Sequence, residues 1–300
     1  MKILITGALG HIGSFLIDSF PTDYDIIAVD NMDTRRYCSL FNLKRYVKII
    51  RKDVSCLSSN DLLDVDAVIH LAGITTAVNS DMLKSGLAKD VSDTSHMISI
   101  CKQAKVRKFI FPSTTSLYGT EEKVMTEDSV LSPQSSYAET KLEIENLIIR
   151  ECNDSIDYMI LRLGTIFGAS KGMRFHTAVN KFCLQAALGE KLTVWKQNID
   201  FKRPYLSMKD LRRCLLYFLN REGGWNQTYN LISENVMLSD IISMVKNHKE
   251  DLDVDMIDVP LDNQFDYMVS DDKIKSQGFS PDQNVKTGVL ETFLLLGGVE

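Results

Sequence analysis

The sequence predicts an α/β fold built on a doubly wound parallel sheet, and three observations carry that expectation. Apolar runs of strand length alternate with helical segments through the first half of the chain. The first run is followed at once by three closely spaced glycines, and those glycines open a helical stretch. Three hundred residues, 44% hydrophobic and 25% charged, suffice for one large α/β domain or two modest ones.

KILIT is the first strand, IGSFLIDSF the first helix and DIIAVD the second strand. KIIRKD, DAVIHLA and KFIFPST continue the strands, with HMISICKQAK helical before the last of them and TKLEIENLIIREC helical after it. YMILRLGTIFG closes this regular part. Beyond it come the loop GASKGMR, a helix in HTAVNKFCLQAALG, the strand LTVW, the segment RPYLSMKDLRRCLLYFL, then TYNLI, LSDIISMVKNHKE and an apolar tail, with no fixed repeat. The change of rhythm predicts a dinucleotide-binding Rossmann domain over 1–165 and a smaller α/β substrate-binding region over 166–300. Segments near 200–230 are expected to return to the first domain. The cleft between the two parts is the expected site.

A net charge of −6 gives no basic face for nucleic acid. No apolar run approaches the roughly 18 residues of a membrane span. The opening MKILITGALGHIG lacks the pattern of a signal peptide, so a cytoplasmic protein starting at Met1 is expected. Six cysteines, at 38, 56, 101, 152, 183 and 214, stand singly without a CxxC or a histidine cluster. They read as buried, reduced thiols, and no metal site is expected.

Gly7, Gly10 and Gly13 follow the first strand in the spacing GxxGxxG, where backbone amides at a helix start can approach a pyrophosphate without interference from Cβ atoms. Asp30 ends the second strand seventeen residues after Gly13, placed to accept both hydroxyls of an adenosine ribose. That favours NAD, because a 2′-phosphate would meet a like charge. Arg35 and Arg36 could offset part of this, or are solvated loop charges. Asp53, after KIIRK, reads either as a contact to the adenine amine or as a turn residue.

Tyr137 and Lys141 lie four apart at the start of a helical stretch, so both project from one face a turn apart. An ammonium about 4 Å from a phenol contributes roughly 4 kcal/mol at an effective dielectric of 20. That is worth about three pH units, so the phenol is expected to exchange protons near neutrality. Just upstream, the strand KFIFPST runs into four consecutive hydroxyl residues, Ser113 to Ser116, at the carboxyl edge where such sheets hold ligand.

GALGHIG, VDN at 29–31, HLAG at 70–73, STTSLYG at 113–119, YAETK at 137–141, RPYLSMKD and TYNLI together resemble the NAD-dependent epimerase/dehydratase family of extended short-chain dehydrogenases. The likeness runs through nearly the whole chain. It implies NAD as cofactor, a small-molecule substrate of the nucleotide-sugar class, and Thr114, with Ser113 as fallback, as the hydroxyl that acts with Tyr137 and Lys141. It further implies that His11, Ile12, Asn31, Val54, Leu71, Ala72 and Gly73 join the glycines, Asp30 and Asp53 around the cofactor. Thr75, Ser113, Thr114, Thr165 and Arg203 are implied on the substrate side, Arg203 as a grip on diphosphate; Arg203 alone reads equally as a surface ion pair. A homodimer through SDTSHMISICKQAK and ETKLEIENLIIREC is implied as well.

Three departures refine the expectation. Thr115 and Ser116 stand where the dehydratase branch has Asp and Glu, so epimerisation through a keto sugar is favoured over loss of water. Asp90, in DVSDT, and Thr165 each replace a family asparagine. A net dehydrogenase or reductase of a small hydroxy or keto compound, and a non-catalytic NAD-binding regulator, are the competing readings.

Overall fold

The strands of the first half are near-continuous apolar runs because both of their faces are covered. In the computed structural model, which describes residues 1–74, 81–119, 123–152, 155–249, 251–258 and 266–296, they form one parallel sheet. The elements come in chain order as β1 (Lys2–Thr6), α1 (His11–Ser19), β2 (Asp25–Asp30), β3 (Lys48–Arg51), β4 (Ala67–His70), α2 (Asp81–Ala104), β5 (Lys108–Thr114), the short β6 (Val124–Met125), α3 (Ser136–Cys152) and β7 (Asp157–Leu163). Then follow β8 (Thr165–Phe167), α4 (Ala178–Ala187), β9 (Leu192–Trp195), β10 (Lys202–Ser207), α5 (Met208–Leu219), β11 (Gln227–Leu231) and β12 (Glu234–Met237). The chain closes through α6 (Leu238–Lys246), β13 (Val254–Ile257), β14 (Met268–Val269), α7 (Asp272–Ser276) and α8 (Val285–Leu296).

The seven-stranded sheet has the order β11-β7-β5-β4-β1-β2-β3, and every pairing in it is parallel. Strand order reverses at β1, between β2 and β4, which is where doubly wound sheets open a crevice at the carboxyl edge. Side chains alternate between faces as strand geometry requires. Ile3 and Ile5 pack with Leu16 of α1 and with Leu211, Leu215 and Phe218 of α5. Leu4, Val68 and Phe109 pack on the other face with Met97 and Ile98 of α2 and with Ile144 and Ile148 of α3. The apolar stripes of α2 and α3 are thus largely spent on the sheet, and Ile149 of α3 stays exposed.

The remaining strands form a three-stranded sheet, β12-β10-β8, and two pairs, β13-β9 and β14-β6. A third cluster joins α4, α6 and α8 around Phe182, Ile241 and Val289. Helix α2 has 24 residues, although only its second half shows an apolar period in the sequence. The expectation that all six cysteines are buried is corrected: Cys38 and Cys56 are exposed, on turns outside the sheet, and the other four are buried. Among the described residues no helix is long and apolar enough to cross a membrane, and no cluster could hold a metal ion.

Candidate active site

β1 ends against a turn that only small residues can close. Gly7 has φ +61, and a Cβ there would meet the backbone of Leu71 and Ala72 at 2.8 Å. A Cβ on Gly13 would meet the Ala8 backbone at 2.6–2.7 Å, so α1 lies directly on the turn. Gly10 caps α1 without a side chain, which leaves the first-turn N–H groups of His11, Ile12 and Gly13 aimed along the helix axis toward the cleft. Asp30 at the end of β2 is buried, and its two oxygens accept from Leu9 N (2.9 Å) and Met32 N (2.8 Å). A glycine cradle, an uncapped helix start and a fixed carboxylate at the next strand end fit the diphosphate and ribose of a dinucleotide.

The neighbouring residues divide into wall and support. Leu71 and Ala72 press on the glycine turn. His70 is buried between Thr6 Oγ1 (2.8 Å) and Thr94 Oγ1 (3.2 Å), and burial, then the Lys141 charge, push its pKa down to about 3. It is a neutral strut that holds the end of β4. Asp53 holds a turn. It accepts from Ser55 N and pairs with Lys89 at 2.7 Å, while Asn31 donates to it at 3.2 Å. Burial opposes its charge, but Lys89, Ser55 and Asn31 outweigh that and hold the carboxyl below its ordinary range. Val54 is buried beneath it. Thr75 lies outside the described residues.

At the carboxyl end of β5, Thr114 accepts from Ser116 N and donates to Ser116 Oγ, both at 3.1 Å. Tyr137 lies close enough to Thr114 for that hydroxyl to favour the phenolate. Ser113 Oγ is buried without a partner among the described residues. Tyr137 stands in the first turn of α3. Lys141, one turn on and buried, holds Nζ 4.5 Å over the Phe111 ring and 5.9 Å from the centre of the Tyr137 ring. Thr165 is half-buried in β8, opposite Tyr205 of β10. The Arg203 guanidinium lies 5.0 Å over the Tyr267 ring, and the Tyr267 hydroxyl donates to Thr115 Oγ1 at 3.2 Å. Arg203 is therefore connected to the hydroxyl cluster through one aromatic residue.

The electrostatics overturn one expectation. The phenol of Tyr137 is not lowered toward neutrality: burial, then the charge of Asp90, push it up to about 12. Lys141 is itself pushed down to about 8 by burial, against the pull of Asp90 and Glu145. Local spacing gave the nearest cation, whereas desolvation and a carboxylate from α2 decide the sign in the chain as it stands.

Sequence reasoning missed the loop after β8. His11 Nε2 meets Gly168 O at 2.9 Å, Ser170 Oγ donates to His11 O at 2.9 Å, and Arg36 donates to Gly172 O. A Cβ on Gly172 would stand 2.7 Å from Gly10 C, so this loop lies directly on the glycine turn. Burial, with Arg36 also opposing charge, lowers His11 to about 4 and keeps it neutral. Arg174, from the same loop, is near enough to favour charge on Tyr137. The glycine at 172 was the only local signal. A separate cavity of about 320 Å³, lined by Phe15, Met208, Glu291 and Leu294 among others, contains none of the expected site residues.

Comparison with known proteins agrees with this geometry. The model of the NAD dependent epimerase/dehydratase family matches residues 3–231. An uncharacterized UDP-glucose epimerase of Bacillus subtilis is 30% identical over 203 residues, 63% of this chain and 64% of that protein, so less than two thirds of its length is spanned. UDP-glucose 4-epimerase of the same bacterium is 27% identical over 266 residues, 77% of each chain. The UDP-glucuronic acid 4-epimerase of Bacillus cereus, solved with UDP-glucuronic acid and NAD, has the same fold. Its TM-score is 0.90 at 24% identity, with 100% of both chains covered.

Proposed function

Because the chain belongs to the NAD-dependent epimerase/dehydratase family, we propose that it is a nucleotide-sugar epimerase, which oxidises one sugar carbon to a ketone and reduces it again from the opposite face. The observation that carries this reading is the gathering of Thr114 at the end of β5, Tyr137 beside it and Lys141 one turn along α3, with Lys141 Nζ 5.9 Å from the centre of the Tyr137 ring.

In this reading Gly7, Gly10 and Gly13 let the NAD diphosphate reach the N–H groups of His11 and Ile12, and Asp30 accepts its ribose hydroxyls. Asn31, Asp53 and Val54 border the adenine side, and Leu71, Ala72 and Gly73 form the wall behind the nicotinamide end. NAD, when bound, supplies a two-electron acceptor for the hydride of the sugar carbon and gives the same hydride back. Tyr137, as a phenolate that burial and Asp90 oppose and the Arg174 charge favours, takes the proton of the sugar hydroxyl while the C–O bond becomes a carbonyl, and returns that proton in the reverse step. Lys141 stabilises the phenolate, and Thr114, with Ser113 beside it, orients the reacting oxygen. In the same reading Arg203 binds diphosphate as a bidentate donor, with Thr165 on the sugar side. The residues after Thr114 are Thr115, tied to Tyr267, and Ser116, tied to Thr114; neither offers a carboxyl to remove water.

UDP sugars are the first candidates, since the relatives carry that name. The reading includes a cytoplasmic homodimer. Six unpaired cysteines support a reducing compartment, and exposed Ile149 offers α3 an apolar contact. Light scattering giving the monomer mass of 33.9 kDa would remove the dimer. Thermal unfolding tests the nucleotide-sugar reading. With NAD present, UDP at 100 times its Kd should stabilise the protein by about 2.7 kcal/mol, and GDP, CDP or dTDP at the same concentration should do less. Stabilisation by NAD and by none of the four nucleotides would point instead to a dehydrogenase of some other small substrate.

A further inference from the structure

Asp90 brings a negative charge to the back of the proposed proton-transfer pair. From α2 it reaches the loop after β4, where Oδ2 accepts from Ile74 N at 2.7 Å. A Cβ on Gly73 would stand 3.0 Å from Asp90 Oδ2 and 3.8 Å from Lys141 Nζ, so carboxylate and ammonium face each other across Gly73, within about 7 Å. The other charges nearby are committed elsewhere. On α2 itself, Lys89 pairs with Asp93 and with Asp53. On α3, Glu145 is held by Arg162. On β4, His70 is neutral and touches Asp90 only through Thr94, whose hydroxyl donates to the Asp90 carbonyl at 2.8 Å. From the loop after β8, Arg174 acts on Tyr137. Among the described residues no cation lies within ion-pair distance of Asp90, and no carboxylate lies within ion-pair distance of Lys141.

We propose that Asp90 is a positioning residue, the counter-ion of the Tyr137–Lys141 pair, which keeps the lysine ammonium charged and makes the phenol harder to ionise. The proposal rests on the epimerase reading for its catalytic meaning and on geometry for its electrostatics. Asp90 is the largest influence that raises Lys141 against burial, and after burial it is the first influence that raises Tyr137. Burial raises the Asp90 carboxyl too, with the Ile74 N–H and Lys141 opposing. At an effective dielectric near 20, a unit charge about 7 Å away is worth between one and two pH units.

Asp90→Asn separates charge from support, because the amide oxygen can still accept from Ile74 N. Tyrosine labelled with ¹³C at the ring, its Tyr137 signal assigned with Tyr137→Phe, reports phenol ionisation by NMR without any turnover. In Asp90→Asn the onset of Tyr137 ionisation is expected about one pH unit lower than in the unaltered protein, and the acidic limb of kcat should move the same way. An unchanged or higher onset overturns the proposal. Should Asp90→Asn not fold, Lys141→Gln reads the coupling from the other side: the Asp90 carboxyl should then titrate higher, and no change overturns it. Since NMR needs no substrate, a shifted phenol in a protein that epimerises nothing rejects the epimerase reading alone. An unshifted phenol in an active epimerase rejects the role of Asp90 alone.

Discussion

Tyr137→Phe is expected to lower kcat by about 10²–10⁴-fold while NAD still binds. The substitution removes one oxygen from the cleft and leaves the ring, the glycine turn and Asp30 in place. In the proposed mechanism what is lost is the atom that takes and returns the sugar proton, and general acid–base catalysis is typically worth that factor. Thr114 keeps its bonds to Ser116 and cannot substitute, since an aliphatic hydroxyl is a far weaker acid than a phenol. Titration calorimetry with NAD separates a catalytic loss from a binding loss. A variant that keeps more than a tenth of the original kcat would assign the proton transfer elsewhere, and one that no longer binds NAD would make Tyr137 a cofactor ligand first.

The largest stability effect is expected at Arg162, in the pair that fixes α3 to the sheet. Its guanidinium meets the Glu145 carboxylate at 2.8–3.2 Å and Tyr118 Oη at 3.0 Å, and both members of the ion pair are almost fully buried. The Tyr118 hydroxyl in turn donates to Asn230 Oδ1 at 2.6 Å, which connects β11 to the same network. Arg162→Met strands Glu145 as an uncompensated buried charge, at a cost of about 3–5 kcal/mol in urea unfolding. Arg162→Met combined with Glu145→Met should recover most of that loss, because an apolar pair of similar volume avoids desolvating either charge. A cost below about 1 kcal/mol for the single variant would mean that water reaches the pair. Glu145 lies one turn beyond Lys141 on α3, so the same pair also sets where the helix turn that carries Lys141 sits.

The parts of this molecule that were legible in the sequence are those decided by neighbours. KILIT, DIIAVD and KFIFPST declare themselves as strands because burial on both faces removes polar residues from them. The glycines at 7 and 13 declare the turn because any Cβ there would strike backbone. Tyr137, Lys141 and Thr114 were recognisable from spacing and from the family likeness. Contacts between residues far apart in the chain were not legible. The first half of α2, DMLKSGLAKDVSDT, shows no clear apolar stripe, so the sequence suggested only the second half of a 24-residue helix. Gly172 on Gly10, and Arg36 on Gly172, join residues more than 130 positions apart. The ionisation of Tyr137 failed for the same reason. Position i+4 supplies Lys141, but the opposing carboxylate comes from residue 90 and the desolvation from the whole fold.

The most direct measurement is to incubate the protein with a trace of NAD and a UDP-hexose or UDP-hexuronic acid, following the sugar by ¹H NMR and the cofactor by absorbance at 340 nm. The account expects the epimer to approach equilibrium over many turnovers while reduced cofactor never exceeds the amount of enzyme. Reduced cofactor accumulating in step with consumed sugar, when NAD is supplied in excess, or a dehydrated sugar in place of the epimer, would contradict it.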